Sequence, residues 1–251
     1  MNYYNFMNKG YEETFRVKCY EVDPMMNLKA FSFMNAAQEI AQKSAEQMGC
    51  GYYELIENNN VWVISRAKVK YIKAPKWFDT VTLETWHKRE EGLFALRDFE
   101  LRDAVGNPAI VATTSWLIMN MESRRVQRTD HIITDEMHRL SIDKDAIAES
   151  CGKIQTPEHQ EFVMTRRINV SDIDYNLHAN NAKYLEWVMD CIDIEILKTR
   201  EIDEFQINYN AESKIHDTVD MFRCKISESE YYVEGRRDGK NLFQTIIKFK
   251  D

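Results

Sequence analysis

Proline and glycine are scarce, with 4 Pro and 8 Gly in 251 residues. That is too few for flexible linkers, low-complexity segments or much disorder. The five cysteines (Cys19, Cys50, Cys151, Cys191, Cys224) are odd in number and include no CxxC pair. A disulfide framework or zinc site would leave a tighter pattern, so reduced thiols in a cytosolic protein are expected. Six scattered histidines form no HxxxH or HxH pair, and neither a metal nor a cofactor is implied. Basic residues do not prevail: 33 Lys+Arg stand against 41 Asp+Glu, a net charge of −8. A nucleic-acid binder needs the opposite balance to displace counterions from phosphates. The segment Met1–Lys9 lacks an apolar h-region, so no secretory signal is expected. The one long uncharged stretch considered as a membrane span, Ala104–Met121, contains Gly106-Asn107-Pro108 and then Thr113-Thr114-Ser115. It reads as a turn followed by a strand.

What is present is a 44% hydrophobic, 12% aromatic chain of a length that suits one large domain or two modest ones. An internal match favours two. Val69–Val81 lines up without gaps on Ile207–Val219, with Tyr, Lys, Asp, Thr and Val coinciding. Upstream, Asn27-Leu28-Lys29-Ala30 resembles Asn176-Leu177-His178-Ala179, in the same order along the chain.

Each copy has one coarse layout. Ala37, Ile40, Ala41, Ser44, Ala45 and Met48 fall at helical spacing, with Gly49 at the stop. Ala182, Leu185, Val188, Met189, Ile192 and Ile196 do likewise in the second copy. The alanine face Ala36, Ala37, Ala41 and Ala45 suits close approach to another backbone. Strand-like runs follow at 61–71, 80–87, 93–103 and 109–120, and again at 205–210, 218–227, 230–237 and 242–250. Short strands precede the helices at 14–20 and 166–170. A helix followed by consecutive antiparallel strands, twice over, predicts an α+β tandem hotdog, each sheet wrapped around a central helix. The expected division is an N-terminal hotdog over 1–135, a connector over 136–160 and a C-terminal hotdog over 161–251. Short helices at 137–140 and 144–150 would interrupt the connector.

The copies diverge at polar positions. In the sequence alignment Asp174, Asn176, His178 and Glu212 face Met25, Asn27, Lys29 and Ala74. The run from Asp174 to Asn181 gathers donors and acceptors at a helix start, where unpaired N–H groups favour negative charge. A helix of about 20 residues from Asn180 and a return strand of about eight would bring Glu212 back beside His178. Ordinary readings compete: Asn180 and Asn181 as helix caps, Asp174 as a turn residue, Glu212 as an exposed strand residue. Met25, Met26, Phe31, Phe33 and Met34 read as core on pattern alone.

The chain resembles the acyl-ACP thioesterases, which hydrolyse the thioester joining a fatty acyl chain to acyl carrier protein. The likeness rests on Val61–Arg66, Pro75–Val81, Glu84-Thr85-Trp86, Thr114–Asn120, Arg124–Arg128 and Asp172–Tyr184. It covers nearly the whole chain and implies a tandem hotdog. Carried over by position, Asp174, Asn176 and His178 resemble the family's catalytic Asp, Asn and His, and Ile207–Ser213 places its catalytic glutamate on Glu212. Plant members carry a cysteine where this chain has Ser213, so a thiol nucleophile is not available there.

The resemblance implies that Glu212, helped by His178, activates water. Asp174 would orient the pair or attack directly, and Asn176 with backbone N–H groups would hold the carbonyl. It makes the first copy the acyl pocket and its Met and Phe residues channel candidates. The partner would be acyl carrier protein with its acyl chain, with no nucleic acid and no membrane span, and the protein a monomer or homodimer. An acidic carrier calls for a local basic patch, for which Arg124, Arg125 and Arg128, or Arg166 with Arg167, are candidates. An acyl-CoA thioesterase, a 3-hydroxyacyl dehydratase and a non-catalytic acyl sensor remain as alternatives.

Overall fold

The computed structural model describes residues 10–251, apart from the side chains of His131 and Glu136; the Met1–Lys9 segment lies outside them. The first half runs β1 (Tyr11–Arg16), α1 (Ala30–Gln47), α2 (Tyr52–Ile56), β2 (Asn60–Tyr71), β3 (Thr80–Glu91), β4 (Phe94–Arg102), β5 (Pro108–Asn120) and a short β6 (Val126–Gln127). After α3 (Asp135–Arg139), the second half runs β7 (Glu161–Arg167), α4 (Asn181–Asp190), α5 (Ile194–Thr199), β8 (Ile202–Tyr209), β9 (Thr218–Lys225), β10 (Glu230–Arg237) and β11 (Lys240–Phe249).

Two antiparallel sheets, in the orders β1-β3-β4-β5-β2 (with β6 also paired to β5) and β8-β11-β10-β9-β7, join edge to edge through β2 and β8. This is the expected α+β tandem hotdog. Joining β2 to β8 hydrogen-bonds two strands that would otherwise be exposed edges, so the two halves share one continuous sheet. The alternation of buried and partly buried residues along the second half of β2 and the start of β3 follows from one face packing on a helix. The main core runs from Phe33, Met34 and Ile40 of α1 through Val69 and Ile207 of the seam to Leu185, Trp187 and Val188 of α4, and a smaller cluster of Ala45, Cys50, Ala95, Ile133 and Met137 lies in the first half.

Gly49 sits at φ +77° where the periodicity of α1 ends, a left-handed conformation glycine adopts without strain. The second helix is shorter than its spacing suggested. α4 stops at Asp190, and Asp193 caps a separate α5 by accepting the Glu195 N–H at 2.9 Å. The connector holds α3 close to the expected place, but residues 141–160 contain neither helix nor strand. Side chains of the first sheet take up that backbone instead. Ala146 N–H donates to Asp98 Oδ2 (2.7 Å), Lys88 Nζ to Ile147 O (2.8 Å), and Trp86 Nε1 to Lys144 O (2.9 Å). Backbone groups tied outward in this way are withdrawn from the hydrogen bonds of a local helix.

Candidate active site

In the second half a tight loop joins β7 to α4. Asp174 Oδ1 accepts the Asn176 N–H at 2.8 Å, and the Asp174 N–H donates to His178 O at 2.9 Å. Leu177 occupies the left-handed region at φ +61°, and its N–H donates to Asp174 O at 3.0 Å. Past this turn the chain lies antiparallel to the segment after β8: His178 bridges Lys214, and the Ala179 N–H donates to Ser213 O at 2.8 Å. That pairing sets His178 Nε2 3.4 Å from Glu212 Oε2. The two side chains are therefore neighbours, as the sequence suggested, but for a different reason. The expected 20-residue helix does not exist, and a local bridge does the work.

The same turn recurs in the first half, and it corrects the sequence alignment. Asp23 Oδ1 accepts the N–H groups of Met25 (2.8 Å) and Asn27 (2.9 Å), Met26 takes φ +64°, and Asn27 bridges Lys76. Asp174 thus corresponds to Asp23, Asn176 to Met25 and His178 to Asn27; Glu212 still corresponds to Ala74. The Asn-Leu dipeptide on which the alignment relied recurs by coincidence. The true marker is an aspartate that caps backbone N–H groups two or more residues ahead. Asp174 consequently has an acidic twin, whereas Asn176, His178 and Glu212 have none.

Glu212 is also held from the other half. Arg124, in the turn after β5, brings Nη2 to 2.5 Å from Glu212 Oε2, the same oxygen that faces His178. Burial pushes the Glu212 carboxyl upward. The hydrogen bond from Arg124 and the nearby charges of His178, Arg124 and Lys214 outweigh this and hold it below the ordinary range. Arg237 donates to Glu212 O (3.3 Å) and pairs with Asp217, fixing the backbone beneath. Asn180 Oδ1 caps α4 through the Ala182 N–H (2.9 Å) and accepts Gln38 Nε2 of α1 at 3.3 Å, so part of its expected ordinary role is real.

A cavity of about 360 Å³ opens beside this loop. Asp174, Tyr175, Asn176, Asn180 and Asn181 line it on the side of the loop before α4; Ala41, Ala45, Leu55, Trp62, Ala95 and Trp116 line it in the first half. Its space comes from the alanines of α1: where a larger side chain would fill the gap between helix and sheet, Ala41 and Ala45 leave it open. Ala41 and Ala45 make this room, while α1 also comes close to α4, as the alanine face suggested. Of the methionines and phenylalanines considered for the channel, Phe33 and Met34 are core residues and Met26 is exposed; none lines this cavity.

The far wall is polar. Arg97, 8% exposed, donates to Ser44 Oγ (2.9 Å) and Thr85 Oγ1 (3.2 Å), and burial lowers its pKa to about 10. His87 beside it is held neutral, its pKa lowered to about 3 by burial and by the charges of Arg97 and His138. The Cys50 thiol is raised to about 11 by burial and stays protonated. Ser213, at the position where the resemblance places the plant cysteine, is fully buried beside Tyr184. Among the described residues no three His, Cys, Asp or Glu side chains are grouped to hold a metal, and no helix is long and apolar enough to cross a membrane.

The sequence marked Arg124 only as a docking-patch candidate and not as a partner of Glu212, which lies 88 positions away. The other basic candidates are mostly engaged. Arg128 pairs with Asp130, and Arg166 with Asp172 and Asp190; Arg167 approaches His216 Nδ1 at 3.3 Å.

Comparison with known proteins agrees with this architecture. The acyl-ACP thioesterase N-terminal domain model matches residues 8–138, and the C-terminal domain model matches 155–251. An oleoyl-acyl carrier protein thioesterase of Coriandrum sativum is 29% identical over 84% of this chain, which spans 61% of that protein. Oleoyl-acyl carrier protein thioesterase 2 of Arabidopsis thaliana is 29% identical over 95% of this chain and 69% of its own length. The crystal structure of an acyl-ACP thioesterase from Bacteroides thetaiotaomicron superposes with a TM-score of 0.86 at 26% identity, covering 98% of this chain and all of that one. The 12:0-ACP thioesterase of Umbellularia californica shares the fold, with a TM-score of 0.85 at 23% identity over 98% of this chain and 99% of its own. With both domain models matched in order over a tandem hotdog, the chain belongs to the acyl-ACP thioesterase family.

Proposed function

We propose that the protein hydrolyses the thioester of fatty acyl-[acyl carrier protein], releasing free fatty acid and ending chain elongation. The observation that carries this reading is the His178–Glu212 pair, in which Glu212, from the segment after β8, meets His178 on the loop whose Asp174, Tyr175 and Asn176 line the cavity. An acyl chain lies in the first half, between α1 and the sheet. The thioester carbonyl rests at the Asp174–Asn181 loop, and the pantetheine arm leaves toward solvent. Glu212, ionised at neutral pH, and His178 together take the proton of an attacking water. Asn176 and N–H groups of the loop meet the developing oxyanion. Collapse of the tetrahedral intermediate breaks the C–S bond, and the proton held by the pair passes to the departing thiolate.

Asp174 builds the turn that presents Asn176 and His178, and its carboxylate lies on the cavity wall, where it adds charge to the pair. Its twin Asp23 builds the same turn where no His or Glu follows, so turn-building is the part of its role that needs no chemistry. The expected place of action is the cytoplasm, with the acidic carrier guided by local positive charge against a net charge of −8.

Free-acid release from a panel of carrier-bound acyl chains tests the reading, with the matching acyl-CoA thioesters run in parallel. Hydrolysis of the carrier-bound set, lost by orders of magnitude in His178→Ala and Glu212→Ala, supports it. Equal turnover of acyl-CoA points to an acyl-CoA thioesterase, and formation of a double bond without free acid to a dehydratase. Full activity in Glu212→Ala removes Glu212 from the mechanism.

A further inference from the structure

The turn between β5 and β6 is built to aim one side chain. Asn120 gathers it: its Oδ1 accepts both the N–H and the hydroxyl of Ser123 (2.9 Å each), and its carbonyl accepts the Arg124 N–H at 2.9 Å. Arg124 sits at φ +56°, a left-handed conformation that a long side chain seldom adopts. Turns and functional sites hold such conformations when the surrounding contacts enforce them. The result is a guanidinium that leaves the first half and ends on Glu212 Oε2 in the second, at 2.5 Å.

We propose that Arg124 is a positioning residue for hydrolysis, holding the Glu212 carboxylate ionised and turned toward His178 while substrate fills the site. The proposal rests on the reading of Glu212 as part of the general base. Its physical basis is the change that binding brings. An acyl chain and pantetheine arm exclude water from around Glu212, which raises the cost of its charge. An exposed salt bridge contributes little in water, but the same pair gains strength as water leaves. Arg124 is half exposed in the free protein and Glu212 about one-third, so the pair is poised for that change.

Other charged and titratable groups around Glu212 do not replace it. His178 faces it from the catalytic loop, Lys214 from its own segment, and Tyr184 from α4. Arg237 of β10 binds its carbonyl and spends its charge on Asp217. Arg124 is the guanidinium that hydrogen-bonds the Glu212 carboxylate among the described residues.

A position-only reading and a carrier-docking reading of Arg124 predict different kinetics. In Arg124→Gln, kcat should fall on the order of tenfold or more for both carrier-bound and small acyl thioesters. KM for the carrier should change little, and the acid limb of the kcat profile should move to higher pH. Arg124→Lys should recover part of kcat and return the acid limb toward its original place. In Arg124→Gln/Glu212→Gln, turnover should match Glu212→Gln alone, since Arg124 acts through Glu212. A higher KM for carrier substrate with kcat and acid limb unchanged would overturn the proposal and make Arg124 a docking residue. An unmoved acid limb with melting lowered in Gln but not Lys would overturn it in favour of a structural role. Full activity in Glu212→Gln would instead remove the underlying reading, so the two failures are told apart.

Discussion

Lys68 of β2 and Gln206 of β8 occupy the same place in the two repeats and pair directly with each other across the seam. The neighbours confirm the symmetry: Ala67 pairs with Ile207 and Val69 with Phe205, each opposite the other's counterpart. A local twofold axis therefore passes between Lys68 and Gln206, and the second copy completes the sheet as a partner subunit would. Phe205 is 1% exposed in this seam. Phe205→Ala should destabilise the chain by about 3–5 kcal/mol, with both halves unfolding in one transition in urea. Separate transitions would show that the seam does not couple them.

Asp174 and its twin Asp23 separate turn-building from chemistry. Asp23→Asn retains the side-chain acceptor and should leave turnover unchanged. Asp23→Ala should cost about 0.5–2 kcal/mol of stability with little effect on kcat, by analogy with the loss of other local capping bonds. Asp174→Asn keeps the turn but removes the charge; turnover should drop by at least about tenfold if the carboxylate charge serves the reaction. Wild-type kcat in Asp174→Asn would reduce Asp174 to a turn residue.

Ala45 lines the cavity and is 6% exposed. Ala45→Leu places roughly three added carbon groups in that space, each about 0.8 kcal/mol of lost apolar burial for a chain they displace. Preference should shift toward shorter acyl chains, read as kcat/KM across a length series, while short substrates keep their rate. An unshifted series would place the acyl chain elsewhere.

His87 gives the fold a calculable acid sensitivity. Its folded pKa of about 3 lies below the ordinary 6.5 because burial, Arg97 and His138 disfavour the charged ring. The unfolded chain binds the extra proton between these values, so stability rises with pH through that window. The contribution is fully present above about pH 6.5 and is lost progressively as pH falls toward 3. At pH 5 the loss is about 2 kcal/mol. Denaturation in urea at pH 7 and pH 5 should show this drop, and His87→Gln, which retains a partner for Ser141, should remove it. An equal drop in the variant would assign the acid sensitivity to other groups.

Much of the fold is legible in the sequence because its signals are local. The eight strand-like runs after the helices reappear as strands to within a few residues, β10 at the same bounds, since alternation and turn residues act over short distances. The helix stop at Gly49 and the cap at Asn180 are equally local. The helix expected at 144–150 does not form where Asp98, Lys88 and Trp86, from strands far away in sequence, take up the backbone. The length of the second helix misleads for a simpler reason: apolar spacing continues through Ile192 and Ile196 across the break that Asp193 caps.

By itself the sequence pointed to a duplicated chain whose copies each wrap strands on a helix, and its motifs, through their family resemblance, marked Asp174, Asn176, His178 and Glu212 as the polar set to examine. Residue identity and spacing carry that information. Only the tertiary structure decided that Asp174 has a twin in Asp23, that the alanines of α1 open a cavity, and that Arg124 reaches Glu212 across the two halves. These relationships depend on distances between atoms remote in the chain. Such distances arise only when the sheet closes across Lys68 and Gln206 and the packed core leaves each side chain one place to go.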